Sequence, residues 1–135
     1  LGFQRSSLRS KTELVEMIGS IGGNEHLRII HDTFHHTLAD GGPIYPEMTG
    51  IVHISGVSDH NLGFMHMEDE HRVLVDTKDR IGNVEQIGAL LGAGYRGPIS
   101  FECFSPEIHN LLNPLTEIKK SFDYISTQIQ MHMGI

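Results

Sequence analysis

Three short apolar runs, LRIIHD at 27–32, GIVHIS at 50–55 and PISFECF at 98–104, each give way to a polar residue at or near the C-terminal end. Runs of this length that are apolar almost throughout are how strands buried on both faces present themselves, and such strands belong to parallel sheets. Between and around them apolar residues recur at helical spacing. Leu14, Val15, Ile18 and Ile21 mark one helix over 10–21; Val84, Ile87, Leu90 and Leu91 mark a second, ended by Gly92 and Gly94; Leu115, Ile118, Phe122, Ile125 and Ile129 mark a long third. Ser10 and Glu13 form a capping-box pattern that starts the first helix, and Gly22-Gly23 ends it. The order is helix, strand, short helix, strand, long loop, helix, strand, helix, which predicts a parallel α/β fold. The connection over 56–80 is too long to be idle in a compact domain and is expected to serve function.

A chain of 135 residues is one domain, 1–135. Its 17 acidic residues against 10 basic ones give a charge of −7, which argues against nucleic acid or an anionic membrane as partner. With no apolar run long enough to span a bilayer and no basic-then-apolar leader, a cytoplasmic location is expected. The lone Cys103 excludes an internal disulfide and thiolate zinc clusters, so any metal must be held by histidine and carboxylate. The chain has ten histidines to draw on.

Each apolar run places a metal-competent side chain at or near its C-terminal end: Asp32 in the first, His53 in the second, Glu102 in the third. In parallel α/β folds the ligand site lies at that edge. Two oxygen donors and an imidazole suit Zn²⁺, Mn²⁺, Co²⁺ or Fe²⁺ better than Ca²⁺. Each residue also has a plainer reading. Asp32 can cap the turn that follows it, and His53 can be a hydrogen-bonded core histidine. Glu102, between Phe101 and Phe104, needs a partner whatever its role, because a buried carboxylate is unfavourable alone. His35, three residues after Asp32, is spaced to return to the same mouth. The run Glu68-Asp69-Glu70 reads as a solvated face, and Met65 and Met67 read as packing for the loop.

HDTFHH, VHIS followed by GF, the acidic DEHR segment and GYRGPISFECFSPE together resemble the C-terminal half of the sugar isomerase/epimerase superfamily, whose fold is a xylose isomerase-like (β/α)₈ TIM barrel. The nearest likeness within it is to the inosose isomerases of inositol catabolism. The resemblance implies a divalent metal (Zn, Mn, Co or Mg) held by Asp32, His53 and Glu102, with Glu102 also catalytic. It implies that His35 contacts substrate oxygen and that Arg72 reaches over the substrate. The family's first glutamate ligand has no counterpart here. The chain is therefore expected to begin just after that strand, to carry an incomplete site and to be inactive alone, while the intact protein isomerises or epimerises a sugar or inosose through an enediolate.

Two other functions compete with this one. An endonuclease IV-like phosphodiesterase would use Asp69 and His71, with His109, as further ligands, and a half-site would suit a metal- or carbohydrate-binding module without catalysis. Half a barrel also leaves strand edges open, so self-association is expected, burying interior residues such as Ile30, Ile51 and Phe101.

Overall fold

The computed structural model describes residues 2–134. Helix α1 (Lys11–Ser20) leads through a 3₁₀ turn into strand β1 (Ile29–Asp32), then come helix α2 (Thr33–Leu38) and strand β2 (Thr49–Ile54). A long connection precedes helix α3 (Asn83–Gly92) and strand β3 (Ile99–Phe101); helices α4 (Pro106–His109) and α5 (Pro114–Met133) complete the order. The strands form one parallel sheet in the order β1-β2-β3.

Local chemistry accounts for the boundaries. The capping box at α1 is closed: Ser10 Oγ accepts from the Glu13 amide, and the Glu13 carboxylate accepts from the Ser10 amide at 2.9 Å. Gly22, at φ 69°, supplies the left-handed turn that ends the helix. Strands β1 and β3 are shorter than their apolar runs, because residues 27–28 and 102–104 lie outside the strands. The turn α4, started by the Ser105 cap and Pro106, has too few residues to leave an apolar period in the sequence.

One face of the sheet is covered by helices. Val52 and Ile54 pack there with Val75, Ile87, Leu90, Tyr95 and Ile125, and Phe101 joins this cluster. Phe101 thus lies on the helix-covered face and not among the interior residues with Ile30 and Ile51, a correction that follows from its pairing with Ile54 across β2 and β3. The opposite face is open: Ile30 is 47% exposed, although its neighbours Ile29 and His31 are buried.

The long connection is folded back by an antiparallel bridge between Gly56 and Val73, with reciprocal backbone hydrogen bonds of 2.7 and 2.9 Å. Met67 is buried with Phe34, Val57 and Ile81, whereas Met65 is exposed, so only one of the two methionines packs the loop. The acidic run is not wholly solvated either. Glu68 takes a bidentate pair from Arg5 at 2.9 Å, and Asp69 accepts from Arg72 at 3.2 Å. No helix among the described residues is long and apolar enough to cross a membrane.

Candidate metal and substrate site

Register brings the strand-end residues together. Asp32 is paired with His53, and His53 with Ser100, two residues before Glu102; alternation therefore directs all three side chains to the open face. The Glu102 amide donates to the Ile54 carbonyl at 2.9 Å, carrying the ladder past β3 and fixing the carboxylate beside His53. One ligand atom each of Asp32, His53 and Glu102 lies within 4.8 Å of the others. His53 Nδ1 is 3.1 Å from Glu102 Oε1. Asp32 does fill the capping role as well: its Oδ1 accepts from the His35 amide at 3.0 Å and starts α2.

Arg72 organises the two carboxylates. Its Nη2 donates to Asp32 Oδ2 at 2.7 Å and to Glu102 Oε2 at 2.8 Å, while Nη1 reaches Asp69 and Nε donates to Ser55 Oγ at 2.9 Å. The guanidinium lies between the rings of Phe34 and Phe104, 4.9 and 5.1 Å from their centroids, and the residue is 1% exposed. In this structure the arginine is thus a buried clamp on the carboxylates.

The two acids are driven apart electrostatically. Burial raises Asp32, but Arg72 and the His35 amide more than offset it, leaving its carboxyl below the ordinary range. Burial and the neighbouring Asp32 hold Glu102 above that range against the opposing pull of Arg72 and His53. A low and a high carboxyl side by side are the arrangement from which general acid–base chemistry is built.

His35 lines the cavity of about 500 Å³ that opens beside the triad, and its Nδ1 is buried with no hydrogen-bond partner among the described residues. It is held from behind by Phe3 and by Gly2, where a Cβ would stand 2.5 Å from the His35 carbonyl oxygen at a backbone φ of +91°. His31, beside Asp32 in sequence, faces the helices and pairs with Gln86 at 2.9 Å.

The further ligands needed for a phosphodiesterase are not brought to the triad. Asp69 is held by Arg72, His71 Nδ1 accepts from the Glu68 amide within its own turn, and His109 bonds the Cys103 carbonyl at 2.7 Å. Burial pushes the Cys103 thiol up to about 11, away from the thiolate form that a nucleophile needs. Two cavity residues, Lys11 and His36, left no signal in the sequence as a pair, because only the fold brings α1 to α2.

Residues 2–128 match the family described as the xylose isomerase-like TIM barrel. The chain belongs to that family. Among solved structures, a xylose isomerase domain-containing protein from Salmonella typhimurium LT2 superposes with a TM-score of 0.83 at 32% identity, covering 96% of this chain and 48% of that one. The IolI protein, solved with a bound zinc atom, gives a TM-score of 0.79 at 20% identity over 95% of this chain and 48% of its own. A xylose isomerase domain protein from Alicyclobacillus acidocaldarius gives 0.73 at 21% identity, covering 91% and 45%. No curated protein matches. The chain thus spans about half the length of these barrels, and its parallel strands with their helices are about half of a xylose isomerase-like TIM barrel.

Proposed function

We propose that this chain carries the metal-binding side of a divalent-metal-dependent isomerase or epimerase acting on a sugar or inosose. The observation that supports it is the meeting of Asp32, His53 and Glu102 at the C-terminal edge of the sheet. Two carboxylates and an imidazole match a zinc-like ion in donor type, and a zinc atom accompanies IolI, a protein of the same fold. When bound, such an ion supplies Lewis acidity to a carbonyl and its neighbouring hydroxyl.

The chain's own residues do the rest. Glu102 takes or returns the proton on the carbon next to the carbonyl, so that the reaction runs through an enediolate. Asp32, held ionised by Arg72, serves as ligand. His35, on the cavity wall, contacts a substrate oxygen, and Arg72 keeps both carboxylates from repelling each other. The proposed setting is the cytoplasm, with further copies of the chain covering the open edges of the sheet.

Zinc titration of the chain by calorimetry, paired with solvent-deuterium exchange into inosose and ketohexoses by the intact barrel followed by NMR, tests this. One zinc per chain is expected, with affinity weakened in Glu102→Gln by more than the roughly 10- to 100-fold that loss of an outer-shell partner costs. Undiminished binding by that variant would remove Glu102 from the site.

A further inference from the structure

Arg72 is aimed by a group that takes no part in the proposed reaction. Both hydrogens of its Nη2 go to the carboxylates, one to Asp32 at 2.7 Å and one to Glu102 at 2.8 Å, so a small turn of the guanidinium loosens both bonds at once. The rings of Phe34 and Phe104 enclose the group, but a ring face attracts a cation without selecting which N–H points where. That selection falls to the hydrogen bonds of the other two nitrogens. Nη1 reaches Asp69, whose side chain is half exposed, at 3.2 Å, whereas Nε donates at 2.9 Å to the Oγ of Ser55, which is fully buried.

Ser55 is itself held in place. Asn83, the first residue of α3, donates from Nδ2 to the Ser55 carbonyl at 2.9 Å and to the Asp79 carboxylate at 3.0 Å, and its Oδ1 accepts from the Thr33 hydroxyl at 2.6 Å. The carbonyl and the carboxylate can only accept, so the amide fits in just one of its two orientations. Thr33 follows Asp32 directly, and Ser55 stands two residues past His53. One side chain from α3 therefore ties together the segments that leave two of the three metal-competent positions. Thr33, Ser55 and Asn83 are all 0% exposed, and each has its partner. Buried polar groups are unfavourable unless paired, so a network satisfied in this way holds one arrangement.

We infer that Ser55 is a positioning residue for Arg72, its hydroxyl fixing the guanidinium so that one nitrogen serves both carboxylates, and that Asn83 fixes Ser55 in turn. The pair thereby sets how Asp32 and Glu102 present their other oxygens to a divalent ion, without touching ion or substrate. That consequence rests on the proposed metal site, whereas the aiming of Arg72 does not.

Solvent exchange of arginine Nε–H, followed by proton–nitrogen NMR on the metal-free chain, compares Arg72 with the exposed Arg5, Arg28 and Arg96. Arg72 is expected to exchange more slowly than these, and about tenfold of that protection is expected to vanish in Ser55→Ala, as for the loss of one hydrogen bond to a charged group. Asn83→Asp keeps the shape of the side chain but sets a carboxylate oxygen against the Ser55 carbonyl, and should quicken exchange as well. Exchange unchanged in Ser55→Ala overturns the inference, because burial alone would then hold the guanidinium. Exchange quickened there but unchanged in Asn83→Asp overturns the part assigned to Asn83. Zinc titration by calorimetry reads the consequence. Ser55→Ala is expected to weaken zinc binding about tenfold, the low end of what losing a group that supports a ligand costs. In Arg72→Lys, which keeps the charge but offers Ser55 no guanidinium N–H, the same substitution should change nothing. An equal loss in that background overturns the inference, since Ser55 would then act on the fold and not through Arg72. Zinc bound equally by Ser55→Ala and the unaltered chain overturns the positioning role and leaves the metal site. No zinc bound by the unaltered chain removes the metal site, and exchange quickened in Ser55→Ala then still upholds the aiming of Arg72.

Discussion

Arg72 is the residue on which the site depends most, because two carboxylates share one of its nitrogens, and it is buried together with one of them, Asp32. Removing one partner of a buried ion pair leaves the others uncompensated, at a cost of about 3–5 kcal/mol. Arg72→Met is therefore expected to lower unfolding free energy by about that amount in urea titration at neutral pH, and a loss under about 1 kcal/mol would show the clamp to be no stronger than a surface pair. The His36 ring makes the second prediction at this scale. Its folded pKa, about 4, lies below its ordinary 6.5, so the unfolded chain takes up the proton first as pH falls. Stability linked to His36 is therefore complete above pH 6.5 and is lost progressively toward pH 4. The loss is on the order of 2 kcal/mol. Urea midpoints across that range should fall more shallowly in His36→Phe, and the wild-type ring should remain neutral by NMR at pH 5.5, within the same window.

At the scale of elements, what places Lys11 at the cavity is the start of α1. The Ser10 hydroxyl and the Glu13 carboxylate satisfy amides that would otherwise have no partner in the first turn. Ser10→Ala is expected to destabilise the protein by about 1 kcal/mol, read as a shift in thermal midpoint, and to loosen the Lys11–His36 contact; an unchanged midpoint would mean that packing alone fixes this helix. The same element shows what a sequence makes visible. Its cap, its apolar stripe and its glycine stop are local, and so were legible. Asp32, His53 and Glu102 were legible for a related reason: each ends an apolar run, and parallel strands carry their ends to a common edge. Contacts across long separations were not. Arg72 meets Asp32 and Glu102 across separations of 40 and 30 residues, and Lys11 meets His36 across 25. No periodicity encodes those meetings. The turn α4 and the early ends of the strands escaped because a four-residue helix and a three-residue strand are shorter than the patterns that announce them.

For the whole molecule the open surfaces decide behaviour. In the order β1-β2-β3, β1 and β3 each have one edge without a partner among the described residues. Beside β1 lies an apolar trough with Met17, Leu27 and Ile30 exposed, and α5 exposes Leu115 at 80% and Phe122 at 61%. Apolar surface next to an unpaired strand edge is both sticky and directional, since the edge offers hydrogen bonds and the flanking side chains offer burial. A helix such as α5, with an apolar stripe left uncovered, would gain about 1.5–3 kcal/mol for each large side chain fully buried by a neighbour. The 135-residue chain in isolation is therefore expected to self-associate at micromolar concentration, with the β1 trough and the α5 stripe at the contact. Sedimentation velocity reads this directly. Paired substitutions that separate the two surfaces, Ile30→Lys for the trough and Leu115→Lys with Phe122→Lys for the helix, should each shift the distribution toward monomer without lowering helical content. A well-folded wild-type monomer at that concentration would mean that these surfaces are stable in water, and the open-edge argument would fail with it.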